Sequence, residues 1–149
     1  MDAGYTGKWS SEVAAVLLLR ADGAALLQHR DDKPGLARAG MWVPPGGHCD
    51  PGESPLACAR RELFEETGYR CNSLCQLTAF VDEVGGGHLP QYLHVFWAEY
   101  DGSQAVQCFE GQGLEFVPRE RASDLPRPDF LIAVWDHALA TLFHATRTR

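Results

Sequence analysis

The sequence predicts a mixed α/β sandwich, and three observations carry that reading. The first third has the pattern of strands, a capped helix occupies the middle, and a second helix with apolar residues at helical spacing follows near the end. The length of 149 residues suits one domain, spanning 1–149, with enough chain to bury a sizeable core. A hydrophobic content of 45% and a charged content of 22% exclude a disordered chain.

Each element has its own signal. Val13 to Leu19 is an unbroken apolar run and reads as a strand buried on both faces. Ala21-Asp22-Gly23 is a turn, and Ala24 to His29 returns as its hairpin partner. Asp31 to Gly40, with charges, Pro34 and two glycines, is a loop. Met41 to Pro44 is a short strand that its prolines confine to an edge or a loop entry. Pro45 to Glu53 is a glycine-rich loop. Ser54-Pro55 starts a helix, with Ser as N-cap and Pro in the first position, and Gly68 stops it after about Thr67. Leu56, Ala59 and Leu63, joined by Ala57 and Phe64, give this helix an apolar side. Leu74 to Val84 and Gln91 to Tyr100 are two strands around Gly85-Gly86-Gly87, and Leu114 to Pro118 is another. Phe130 to Ala145 carries Leu131, Val134, Trp135, Ala138, Leu139 and Leu142 at helical spacing.

Composition narrows the function. A formal net charge of -7 without a Lys/Arg cluster argues against a nucleic-acid polymer or an anionic membrane as partner. Met1 to Ser10 lack the basic start and apolar core of a signal peptide, and the longest apolar run is too short to span a bilayer. Five cysteines, an odd number with no CxxC pair, read as free thiols rather than a disulfide framework or a zinc site. A cytoplasmic location is the expectation.

The chemistry concentrates on the middle helix. Glu62, Glu65 and Glu66 stand at i, i+3 and i+4, so they project from one face. Like charges at that spacing repel, and the C-terminal end of a helix disfavours negative charge. One reading is a solvated acidic face. The other is a site for a hard divalent cation such as Mg²⁺, which takes carboxylate oxygens and completes its shell with waters and substrate phosphates. Just upstream, Pro45-Gly46-Gly47-His48-Cys49-Asp50-Pro51-Gly52-Glu53 feeds a loop that admits close backbone approach straight into the acidic helix.

Taken together, Gly47, Glu53 and the run Arg61-Glu62-Leu63-Phe64-Glu65-Glu66-Thr67-Gly68-Tyr69 resemble the Nudix box, the signature of the Nudix hydrolases. The departure is Tyr69, a packing position where the family usually has an aliphatic residue. The resemblance implies an α/β/α sandwich with a mixed central sheet, and hydrolysis of a diphosphate linkage in a nucleoside diphosphate derivative. It implies Mg²⁺, with Mn²⁺ as a substitute, and a monomer or homodimer that takes a small nucleotide-type substrate. Within it Glu62, Glu65 and Glu66 would be metal ligands, joined by the Gly46 carbonyl. Glu53 and Arg61 would be the supporting ion pair of the catalytic set. A bound cation also explains how so acidic a chain tolerates a polyphosphate.

Finer roles follow the MutT-like branch. Glu110-Gly111-Gln112 is similar to that branch's Glu-Gly-Gln segment, so the general base is Glu65 or Glu110; a polar loop before a strand is the plainer reading of this segment. Arg30 is either a phosphate contact or a surface arginine at a strand end, and Gly47 belongs to the substrate-facing loop. Asp129 stands where that branch has a base-reading asparagine and is either a base reader or the N-cap of the last helix. Trp42, Phe80, Phe96 and Trp97 are stacking candidates or core. Val84 and Gly85 to Gly87 stand where ADP-ribose and dinucleoside polyphosphate hydrolases tend to have a proline and a tyrosine. The expectation is therefore a MutT-like conversion of a (d)NTP to NMP and pyrophosphate. The alternatives are a nucleotide sugar or dinucleotide hydrolase, and a Nudix module that senses nucleotides without turnover.

Overall fold

The computed structural model describes residues 11–147, and the reading of Met1–Ser10 lies outside them. Nine elements run in the order β1 (Glu12–Leu19), β2 (Ala25–His29), β3 (Trp42–Val43), β4 (Gly46–His48), α1 (Pro55–Thr67), β5 (Cys75–Asp82), β6 (Gln91–Glu99), β7 (Gly113–Val117) and α2 (Leu131–Arg147). A short 3₁₀ helix, Arg119–Asp124, precedes α2 and had no distinct signal in the sequence.

The apolar run of β1 explains the architecture. Its residues alternate between two cores. Ala15, Leu17 and Leu19 pack with Leu27, Val95, Leu131, Trp135 and Ala138 on the α2 side. Ala14, Val16 and Leu18 pack with Leu26, Phe96, Cys58, Ala59 and Leu63 on the α1 side. A strand that serves two cores must be apolar at every position, and the result is an α/β/α sandwich.

The sheet has seven strands and is mixed. β1 pairs parallel with β6, and β5 pairs antiparallel with β6 across a shift between Gln76 and Thr78. The opposite edge of β1 is shared: β4 takes Val13 to Ala15, and β2 joins at Leu19. β2 then pairs with β7 along its length and with β3 at its far end. β2 and β4 thus meet β1 at different ends, and residues of all three strands line the cleft described below.

Two local expectations need correction. Gly46–His48 is a strand, not part of a loop, because β1 supplies its hydrogen-bonding partner. Leu56, Ala57 and Phe64 do not belong to the buried side of α1; they are exposed, and the buried residues are Cys58, Ala59, Leu63, Glu66 and Thr67. Phe64 instead lies under the Arg70 guanidinium, 4.1 Å from its ring centre. The five cysteines are free, and no helix among the described residues is long and apolar enough to cross a membrane.

Candidate active site

Helix α1 is held at both ends by its own sequence. Ser54 Oγ accepts the Ala57 N–H at 3.1 Å, and Gly68, at φ 77°, donates its N–H to the Phe64 carbonyl at 2.8 Å. That length puts Glu62, Glu65 and Glu66 in the last two turns. Packing through Cys58, Ala59 and Leu63 then turns Glu66 toward the sheet, where it is only 4% exposed.

Glu66 meets two donors there. Gln28 Nε2 of β2 donates to Oε1 at 2.8 Å, and the Gly46 N–H of β4 donates to Oε2 at 3.0 Å. Burial, followed by repulsion from Glu110 and Glu62, pushes the Glu66 carboxyl up to about 9. Three carboxyl groups thus meet around the buried Glu66, with Glu62 half-buried and Glu110 exposed, and a cation placed among them would relieve their repulsion.

Glycine makes room for the cluster. A Cβ on Gly47 would lie 2.5 to 2.6 Å from the carboxyl of Glu62. A Cβ on Gly46 would lie 2.2 Å from the Ala14 carbonyl oxygen, so β4 could not pair with β1 there. Both glycines are required by close approach, not by a left-handed backbone.

Arg61 ties loop to helix. Its guanidinium donates to both oxygens of Glu53, at 2.8 and 2.9 Å, and to the His48 carbonyl at 3.0 Å. Its Nη1 reaches Glu62 Oε1 at 2.9 Å and Glu65 Oε2 at 3.2 Å. These bonds from Arg61, with the Asp50 N–H, hold the Glu53 carboxyl down at about 2. Among the described residues no group of three His, Cys, Asp or Glu is arranged as a ready-made metal cage. Glu62 and Glu65 both lean on Arg61. The donors fit a cation that needs few carboxylates and keeps waters for its remaining positions, as Mg²⁺ does.

Glu110 reaches the cluster because its loop is anchored on both sides. Gln107 and Phe109 donate their N–H groups to the Thr67 and Glu66 carbonyls, at 2.9 and 3.1 Å, and Gln112 donates to the His29 carbonyl at 2.7 Å. Gly111, at φ 87°, passes so close to β2 that a Cβ would lie 2.5 Å from the His29 oxygen. Tyr69 adds a further tie. It is buried, its hydroxyl accepts the Asp101 N–H at 2.9 Å, and its ring packs on Tyr100.

Gly46, Gly47, Glu62, Glu110 and Gly111 line a cleft of about 550 Å³. Leu36, Arg38, Asp82, Val84 and Phe130 line it as well. Arg30 also lines the cleft, with Nε donating to the Ala37 carbonyl at 2.9 Å. Neither Glu65 nor Glu66 lines the cleft: Glu66 is buried against Gln28 and Gly46, and the Glu65 side chain is 55% exposed and turned to Arg61. Asp129 lines a separate neighbouring hollow, is exposed, and makes no capping hydrogen bond to α2 among the described residues. Of the aromatic candidates, Phe96 is core, Phe80 packs edge-on against Phe130, and Trp42 stacks on His29 at 4.6 Å. Sequence reasoning missed Gln28, Arg38 and Asp82. A signal existed for Gln28, a polar residue at an inward position of an otherwise apolar strand.

Fold and site together define a class of protein: a sandwich in which a glycine-bearing strand and a short helix gather carboxylates beneath a cleft. The chain belongs to the Nudix family, and residues 9–134 match its NUDIX domain. It is 34% identical over 108 residues to a putative 8-oxo-dGTP diphosphatase of Bacillus subtilis, covering 70% of this chain and 64% of that protein. It is also 34% identical over 111 residues to the GDP-mannose pyrophosphatase of Cronobacter sakazakii, covering 64% and 56%. The matched stretch thus spans less than two thirds of these relatives. The MutT protein of Methanosarcina mazei has the same fold, with a TM-score of 0.73 at 21% identity over 89% of this chain and 94% of that one.

Proposed function

We propose that this chain is a metal-dependent pyrophosphohydrolase that splits a diphosphate linkage in a nucleoside diphosphate derivative, with conversion of a (d)NTP to NMP and pyrophosphate as its main reaction. The observation that carries the reading is the buried Glu66 carboxyl, beside Glu62 and Glu110, which line an open cleft. Likeness to a putative 8-oxo-dGTP diphosphatase favours a nucleoside triphosphate, and likeness to a GDP-mannose pyrophosphatase supports a nucleotide sugar as the second reading.

Glu62, Glu65, Glu66 and the Gly46 carbonyl would hold Mg²⁺ or Mn²⁺. When bound, such a cation polarises phosphoryl oxygens and lowers the pKa of an attacking water. Gln28 and the Gly46 N–H orient Glu66, and Arg61 with Glu53 keeps the β4–α1 connection in register with the helix. Between the two candidate bases, position favours Glu110: it lines the cleft and faces Glu66, whereas Glu65 does not line the cleft and is paired with Arg61. Glu110 takes the proton as the water oxygen bonds to phosphorus, and the bond to the bridging oxygen breaks to release pyrophosphate. Arg30 supplies positive charge to the phosphates from the cleft wall. The exposed Asp129, outside the cleft, is a weaker candidate for reading the base.

Purified protein incubated with Mg²⁺ or Mn²⁺ and a panel of nucleoside triphosphates, nucleotide sugars and dinucleotides tests the reading. Pyrophosphate or phosphomonoester release from a panel member is expected. Binding without release from any member would identify a nucleotide-sensing module instead.

A further inference from the structure

Two carboxamides line the main cleft, and their situations differ. Gln28 is buried and committed to Glu66. Gln91, the first residue of β6, is half-buried, and its side chain makes no hydrogen bond among the described residues. Charged groups that line the same cleft are already paired. Arg38 donates through Nη1 and Nη2 to the two oxygens of Asp82, at 2.7 and 2.6 Å, and Arg30 donates to the Ala37 carbonyl at 2.9 Å. The Gln91 amide, with a donor and an acceptor and no protein partner for either, is free to bind a ligand.

Sheet register fixes where this amide stands. Gln91 is opposite Asp82 in the β5–β6 ladder, and Leu93 is opposite Phe80. Alternation puts Gln91 on the same face as Leu93 and Val95, two members of the α2-side core. Val13, Ala15, Leu93 and Phe130, which belong to that core or pack on it, all line the cleft. Gln91 is thus one same-face step from the apolar part of the lining. The carboxylate cluster lies farther off. Gly46 pairs with Ala15, Ala15 pairs with Val95, and Gln91 begins the strand that holds Val95. Those steps amount to about 10 Å across the strands and about 13 Å along them.

We propose that Gln91 reads the base of the nucleotide. Its Nε2 donates to the base edge and its Oε1 accepts from it, while the base lies against Val13 and Leu93 and the phosphates reach toward Glu62 and Glu110. A carboxamide suits this task because base edges carry donors beside acceptors, which neither a guanidinium nor a carboxylate matches alone. The facing Asp82 carboxylate is taken by Arg38 and leaves the amide unbound. The inference rests on the nucleotide substrate of the proposed hydrolysis and adds the residue that selects the base. Gln91 touches no reacting atom, so its loss should appear in KM and in the choice of base rather than in kcat.

Two variants test it. Gln91→Leu removes both hydrogen-bonding groups, and Gln91→Glu keeps an acceptor and removes the donor. Calorimetry with AMP, GMP, CMP and UMP, without added metal, reads base preference in binding. Values of kcat/KM for ATP, GTP, CTP and UTP in Mg²⁺ read it in turnover. Wild type should favour one base by about tenfold in both measurements, and Gln91→Leu should level the four to within about twofold by raising KM for the favoured one. Gln91→Glu should put a different base first. A wild type indifferent to the base, or a folded Gln91→Leu protein that keeps the wild-type ranking, would overturn the assignment. Equal loss for all four bases would overturn it too, since a structural role predicts that result. If Gln91→Leu does not fold, the ranking in Gln91→Glu decides, and an unchanged order overturns the assignment. Ranked binding that Gln91→Leu levels, with no turnover of any triphosphate by wild type, would overturn the hydrolase reading and leave Gln91 as the base reader.

Discussion

Gln28 and Glu66 are joined by a buried hydrogen bond of 2.8 Å between β2 and the last turn of α1. The bond fixes which way the most deeply buried carboxyl of the cluster faces. Deleting the amide leaves Glu66 mobile and removes a partner from a group that water barely reaches. Gln28→Ala should weaken Mg²⁺ dependence of turnover by roughly 10- to 100-fold, the usual cost of losing an outer-shell partner. The midpoint of a Mg²⁺ titration of activity reads this directly, and an unshifted midpoint would assign Gln28 to packing alone.

Glu66 itself should be worth more. Glu66→Gln keeps the size of the side chain at a place where burial already disfavours the ionised form, so the fold should survive. Turnover should fall at least on the order of a hundredfold. Circular dichroism melts and steady-state kinetics on the same preparation separate the two effects.

A single methyl group tests the tight packing of the cluster. Gly47→Ala places a Cβ within 2.6 Å of the Glu62 carboxyl, and that carboxyl must swing away. Activity should be lost with little change in melting temperature, since Glu62 lies at the cleft and not in either core. Wild-type turnover in this variant would remove Glu62 from the site.

The Glu53–Arg61 pair makes a prediction about pH. The folded carboxyl of Glu53 sits at about 2, below its ordinary 4.5, because Arg61 and the Asp50 N–H bind its ionised form. A depressed carboxyl contributes stability that is present above its unfolded value and lost as pH falls through the folded one. The melting-temperature gap between wild type and Glu53→Gln should therefore be constant above about pH 5 and close between pH 4.5 and 2. A gap independent of pH in that window would contradict the pairing.

Legibility in the sequence followed the range of the interaction. Helix α1 was readable to its ends because Ser54, Pro55 and Gly68 act within a few residues of the atoms they cap. The core strand β1 was readable because two-sided burial leaves no polar position. β4 was not, since Gly46-Gly47-His48 has no strand-forming side chain and becomes extended only when β1 supplies its partner. The apolar side of α1 was misassigned for a related reason. The helix turns Glu66 and Thr67 inward and leaves Leu56 and Phe64 outside, so its buried face follows the site rather than hydropathy. Within the site the box residues announced themselves by spacing. The Arg38–Asp82 pair joins a loop to a strand end 44 residues on, and no local pattern marks such a contact.

The central claim is that the carboxyl cluster around Glu66 exists to hold a divalent cation. Calorimetric titration of Mn²⁺ and Mg²⁺ into wild type and Glu66→Gln, each with and without a nucleotide, tests it most directly. Saturable uptake by wild type, abolished or severely weakened in Glu66→Gln, is the predicted result. Equal uptake by both proteins, or none by wild type under any of these conditions, would contradict it.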